Sequence, residues 1–169
     1  DRNYTHQTRY QLPIPPSPNL PNMKSIYLYP STCFFEATPV SLGRGTSLPF
    51  QVYGHPNMTG YNYSFTPRSI PGAKNPPQLN KLCHGVDLSN MSDEEIWKRG
   101  VDLTYVIDAY RNLNLDDHFF RPFFELLVGR DYVRKMIKEG KSADEIKAMW
   151  KGDVEKFKAQ RKPYLLYEE

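Results

Sequence analysis

An α+β domain, with a small antiparallel sheet and irregular proline-rich loops followed by about three helices, is what this 169-residue chain predicts. Two features point there. Thirteen of the 15 prolines fall within residues 1–80, a density that forbids long helices and favours extended segments and turns. Beyond residue 91 the prolines nearly vanish, charges of both signs alternate, and two Ser-x-x-Glu boxes stand where helices begin. Strands followed by segregated helices make an α+β arrangement.

Taken in order, Ser25-Ile26-Tyr27-Leu28-Tyr29 reads as a strand that Pro30 ends. Residues 49–54 alternate and close on a Gly-His-Pro turn, and residues 61–66 alternate aromatic with polar, the period of a half-buried strand. Residues 82–88 form a further strand candidate, and residues 67–79 a long irregular loop of the kind that serves a role or moves. Ser92 and Glu95 then cap a helix expected to run to about residue 112, weakened at Gly100. A second helix is expected over residues 123–139 with Gly140 as its stop. Ser142 and Glu145 cap a third, which carries Ile146, Met149, Trp150, Val154 and Phe157. Tyr164-Leu165-Leu166-Tyr167 is expected to dock as an extended segment.

Composition removes several classes. A mean hydropathy of -0.65 and no apolar run near 20 residues exclude a transmembrane helix. Twelve Tyr, nine Phe and two Trp give ample core material against disorder. A net charge of +3 is too mild for a nucleic-acid binder. Cys33 and Cys83 read as two buried free thiols, with a disulfide open if the protein is exported, and no ligand cluster suggests a metal. The opening Asp1-Arg2-Asn3-Tyr4, without Met or a leader pattern, reads as the interior of a longer protein.

The candidate chemistry is concentrated in one stretch. Glu36, in Cys33-Phe34-Phe35-Glu36-Ala37-Thr38, is a carboxylate in apolar company, where desolvation favours a proton donor. The alternative is a surface Glu, or the partner of a nearby Arg. Ser41-Leu42-Gly43-Arg44-Gly45-Thr46 frames an arginine with glycines, leaving its guanidinium free to grip a carboxylate or phosphate. The alternative is a turn whose Arg44 pairs only with Glu36. The stretch is neither a Walker loop nor a dinucleotide fingerprint, so no cofactor is expected. His55 and His84 are weaker candidates for polar contacts in a cleft, and Tyr53, Tyr61, Tyr63 and Phe65 could stack on sugars or fill a core.

These blocks, together with Leu28-Tyr29-Pro30, Pro49-Phe50-Gln51-Val52-Tyr53-Gly54-His55-Pro56, Cys83-His84-Gly85-Val86 and the closing Tyr-Leu-Leu-Tyr, resemble the NamZ-like exo-β-N-acetylmuramidases. Departures are Ala37, where Gly is expected, and Leu42, where an acid or a small residue is common. The resemblance implies a Rossmann-like first domain and a smaller second one, with the substrate cleft between them. Residues 1–48 would be the tail of the first and residues 49–169 the second. It implies a glycoside hydrolase, exported, that releases N-acetylmuramic acid from non-reducing ends of peptidoglycan fragments. Glu36 would be catalytic, and Ser41, Gly43, Arg44, Gly45, Thr46 and His55 would bind substrate. Its partners would be the sugar substrate and the Rossmann-like domain, with no nucleic acid and no membrane span, and the principal catalytic carboxylate would lie in that first domain. The residues alone leave two other classes open: a non-catalytic cell-wall carbohydrate-binding module, and a secreted interaction domain.

Overall fold

A computed structural model describes residues 3–5 and 8–167. Helix α1 (Met23–Thr32) and a 3-10 turn (Cys33–Ala37) come first, followed by strands β1 (Val52–His55), β2 (Tyr63–Phe65) and β3 (Cys83–Asp87). Five helices follow: α2 (Asp93–Arg99), α3 (Thr104–Leu113), α4 (Phe124–Val128), α5 (Tyr132–Lys138) and α6 (Ala143–Arg161). The sheet is antiparallel in the order β1-β3-β2, so the predicted α+β class holds. Cysteines 33 and 83 are both free, but Cys33 is only half-buried.

The first element corrects the sequence reading. Residues 25–29 are helical, although Ile26, Tyr27 and Tyr29 favour strands. Asn22 caps the helix, its side chain accepting from the Ser25 N–H while Ser25 and the Asn22 backbone complete a reciprocal box. Pro30 lies inside α1, not after it. Burial of Leu28 and Thr32 keeps the last turn helical despite the lost donor, and Thr32 Oγ1 donates to the Leu28 and Phe50 carbonyls at 3.0 and 3.2 Å.

Two expected long helices are each split. Gly100 (φ 59°) ends α2, and Gly129 (φ 68°) ends α4, both with the positive φ that terminates a helix. The α2–α3 break is stitched to α1. Ser31 Oγ donates to the Gly100 carbonyl at 3.1 Å and accepts from the Asp102 N–H at 2.9 Å. Burial works against the charge on Asp102, but hydrogen bonds from Thr104 and Arg99 prevail and hold its carboxyl below the usual range.

Ser92 and Ser142 are both N-caps, accepting from the backbone N–H groups of Glu95 and Glu145. Only Ser142 makes the full box, since Glu95 turns to Arg99 at 2.7 Å. Ser142→Ala is therefore expected to lower stability by about 1 kcal/mol in urea unfolding, while a neutral effect would discount the cap. The tail is seated only loosely: Tyr164 closes a 3-10 turn and is 82% exposed and Leu166 is 89% exposed, while Leu165 is half-buried and residues 165–167 border a cleft with Tyr4 and Tyr10.

The main core runs across residue 48. Leu28, Phe35, Val40 and Leu42 share it with Tyr53, Leu103, Val106, Phe119, Phe124 and Ile146. A smaller cluster of Val52, Phe65 and Cys83 lies under the other face of the sheet. Residues 23–48 therefore fold as part of the same body as the sheet and its helices.

Candidate functional site

The 3-10 turn positions Glu36 by burying its neighbours. Phe35 and Ala37 are fully inside, so the residue between them is left on the outer side, half-buried. Ser41 joins the edge of β1 through an isolated bridge to Gly54, and residues 43–46 turn away from it. Ser41 exchanges two backbone hydrogen bonds with Gly54, at 2.8 and 2.9 Å. Gly43 and Gly45 both have positive φ, 80° and 83°. Two tight turns in succession swing Arg44 out toward Glu36, with Nη1 3.9 Å from Oε1.

That separation is a charge pairing rather than a two-bond grip. Arg44 makes no hydrogen bond to any other described residue, and its buried Nε has no acceptor. The guanidinium is thus held near a carboxylate, partly exposed, with its Nε lacking an acceptor among the described residues. Burial lifts the Glu36 carboxyl above the usual range, and the Arg44 charge opposes this without cancelling it. A carboxyl so raised stabilises the fold when protonated, and this contribution is lost as pH rises through its folded pKa.

The remaining predicted residues divide into scaffold and separate neighbourhood. Ser41 is buried, and its Oγ accepts from the Gly43 N–H at 3.4 Å. Thr46 Oγ1 donates to the Gly43 carbonyl at 2.7 Å and accepts from the Leu48 N–H at 3.0 Å. Both hydroxyls therefore shape the loop. The irregular segment 67–80 packs on it: the Arg68 N–H donates to the Gly45 carbonyl at 2.8 Å, and Gln78 Nε2 donates to the Pro39 carbonyl at 2.8 Å. His55 lies at the end of β1, directly opposite His84. Its Nδ1 accepts from the Asn57 N–H at 3.1 Å, which puts the proton of the neutral ring on Nε2. Burial and the Lys81 charge lower its pKa. His55 thus answers to Lys81 and Asn57, not to Glu36 and Arg44.

Sequence reasoning missed two groups. Tyr29 lies on α1 at a spacing of four and seven before Cys33 and Glu36, which puts all three on one helical face. Burial, then the Glu36 and Cys33 charges, raise the Tyr29 hydroxyl, and burial followed by Glu36 lifts the Cys33 thiol to about 11. The signal was present as helical spacing, hidden by the strand reading. The Tyr29 ring packs 5.1 Å from Phe50, a residue at φ 60° whose N–H donates to the Leu42 carbonyl at 2.7 Å. The second missed group is Asp108, which accepts from both Tyr53 and Tyr61, at 2.7 and 2.8 Å. Among the described residues, no group of three or more His, Cys, Asp or Glu could hold a metal ion. No described helix is long and apolar enough to cross a membrane.

The fold and site thus define an α+β domain that presents a half-buried carboxyl beside a partly exposed guanidinium whose Nε has no acceptor among the described residues. Residues 27–167 match the family described as "Exo-beta-N-acetylmuramidase NamZ, C-terminal", and the chain belongs to that family. It is 33% identical over 167 residues to the peptidoglycan beta-N-acetylmuramidase NamZ of Bacillus subtilis (strain 168), an alignment covering 90% of this chain and 40% of that protein. A crystal structure of a DUF1343 family protein from Bacteroides fragilis NCTC 9343 superposes with a TM-score of 0.97 at 83% identity, covering 99% of this chain and 48% of that one. The chain therefore spans less than half the length of either relative.

Proposed function

We propose that this domain forms one wall of the active site of an exo-acting glycoside hydrolase that releases N-acetylmuramic acid from non-reducing ends of peptidoglycan fragments. The observation that carries the reading is the Glu36–Arg44 pair, with the carboxyl raised by burial and the guanidinium short of acceptors. The name of the Bacillus subtilis relative supports the substrate class. Muramic acid differs from glucosamine by a lactyl carboxylate, the planar two-oxygen group that a guanidinium holds through two parallel bonds. Glu36, holding its proton to higher pH than a solvated carboxyl, suits protonation of the departing glycosidic oxygen. The second carboxyl of such a mechanism would come from a further domain across the cleft. Export follows from the location of the polymer.

Binding by the chain itself tests the clamp. Titrating the protein with N-acetylmuramic acid and with N-acetylglucosamine, followed by backbone amide shifts, should give perturbations centred on residues 36–46 for the first sugar. Arg44→Lys keeps the charge but loses the fork geometry, and is expected to weaken muramic-acid binding by about tenfold while leaving glucosamine binding unchanged. Equal losses on both sugars would make Arg44 a loop anchor rather than a reader of substrate.

A further inference from the structure

Residues 37–86 contain no Asp or Glu, yet they carry Arg44, His55, Arg68, Lys74, Lys81 and His84. Arg44 faces Glu36, while Arg68, Lys74 and Lys81 form no ion pair among the described residues. The fold gathers part of this charge at one end of the sheet. His84 stands directly opposite both His55 on β1 and Ser64 on β2, so the three side chains share one face. Tyr53 and Val86 meet the main core through that same face. The row lies at its rim, with His55 and His84 half-buried and Ser64 exposed. Ser64 Oγ lies 2.8 Å from His84 Nδ1, and His55 Nδ1 accepts from the Asn57 N–H at 3.1 Å. Neither ring spends its Nε2 on a described residue. With Ser64 donating to His84, both Nε2 atoms carry protons and are free to donate. Lys81 arrives at this end through Gln78 and Asn80, held at φ 60° and 61° in the left-handed region. The Gln78 side chain anchors that turn on the Pro39 carbonyl, and Arg68 donates to Asn80 Oδ1 at 3.1 Å. Burial, then the Lys81 charge, holds the His55 pKa down, and no acid among the described residues opposes them.

We propose that His55, His84, Ser64 and Lys81 form a binding site for a phosphate group, free or carried as a sugar ester. Three arguments select that ligand. The unspent donors are two ring N–H groups and an ammonium, which match the three terminal oxygens of a phosphate monoester better than the two coplanar oxygens of a carboxylate. A phosphate charge of about −1.5 to −2 at neutral pH supplies the counter-ion that Lys81 lacks, and gives a doubly protonated His55 a partner. A metal cation fits poorly, because Lys81 repels it and the described residues offer no group of three or more His, Cys, Asp or Glu. The site is separate from the Glu36–Arg44 pair. Ser41 bridges Gly54 and the Leu42 carbonyl accepts from the Phe50 N–H, so the Arg44 loop leaves toward the start of β1. His55 ends that strand. The phosphate site therefore does not depend on the muramidase reading.

Titration of this chain with inorganic phosphate and with glucosamine 6-phosphate, followed by histidine-ring and backbone amide shifts, tests the site. Saturable shifts at residues 55–57, 64 and 81–84 are expected with both, and none with acetate at matched ionic strength. Tighter binding of the ester assigns the site to a phosphorylated sugar, and tighter binding of inorganic phosphate assigns it to the free ion. Bound phosphate should also raise the His55 pKa, since an anion then offsets the Lys81 charge beside the ring. Lys81→Gln is expected to weaken phosphate binding by about tenfold, while Lys151→Gln on exposed α6 leaves it unchanged. Ser64→Ala, which alters no charge, should weaken it several-fold. Shifts that fail to saturate and spread over the basic residues of α6 overturn the proposal. So do equal responses to acetate and phosphate, or a Lys81→Gln protein that binds like the parent. Muramic acid is read at residues 36–46 and phosphate at 55–84, so either titration can fail while the other stands.

Discussion

Gly45→Ala is expected to lower the unfolding free energy by about 3 kcal/mol and to abolish recognition of N-acetylmuramic acid. The size follows from two costs acting together. Gly45 sits at φ 83°, where a β-carbon is strained whatever the space around it. The space is also filled, since that carbon would lie 2.4 Å from the Arg68 carbonyl oxygen and 2.7 Å from Pro76 Cγ. The carbonyl cannot give way cheaply, because segment 67–80 is pinned by the Arg68–Gly45 hydrogen bond and by Asn80 donating to the Pro67 carbonyl at 2.8 Å. Relief must therefore come from the Arg44 loop, moving the guanidinium away from Glu36. Gly152→Ala supplies the contrast. That glycine lies within exposed α6 with nothing within 4 Å of the added carbon, so the same substitution should stabilise by about 0.5–1 kcal/mol. Urea unfolding of both variants decides the matter, and a Gly45→Ala protein as stable as the parent would refute the packing argument.

The residues that frame Arg44 were legible because glycines around an arginine have few other uses, and Glu36 because acids are scarce in the proline-rich half. Two of the three strands were legible from alternation and the third as a candidate over residues 82–88, each proving shorter than its pattern. What failed was local preference against tertiary packing. Ile26, Tyr27 and Tyr29 favour strands, but burial of Ser25, Leu28 and Thr32 at helical spacing, with Asn22 as a cap, outweighed that preference. The misreading propagated to the site. Tyr29 meets Cys33 and Glu36 only if the segment is helical, so the wrong period hid a member of the constellation. Gly100 and Gly129 act in the opposite sense: in sequence one weakens an expected helix and the other lies inside one, yet each ends a helix. Asp108 could not be found at all, since its two tyrosine partners are 55 and 47 residues away in sequence.

The 169-residue chain on its own is expected to turn over a chromogenic N-acetylmuramide at least about a thousandfold more slowly than the Bacillus subtilis relative. Hydrolysis of a glycoside by the usual route needs two carboxyl groups, one to protonate the leaving oxygen and one to act on the opposite face of the sugar. Burial and the Arg44 charge are what move the Glu36 carboxyl. A second ionised carboxylate within the working distance of such a pair would add its own upward push by like-charge repulsion. Asp108, an acid that accepts hydrogen bonds from aromatic hydroxyls, serves Tyr53 and Tyr61 instead. On the proposed reading the domain supplies a proton donor and an anion grip, and the group that attacks or stabilises the anomeric carbon comes from outside the described residues. Binding of the sugar acid without its release is the corresponding signature, to be read in one sample from amide shifts and from the chromophore. Turnover by this chain comparable to that of the relative, abolished by Glu36→Gln, would place both carboxyls within these residues and overturn the shared-wall reading.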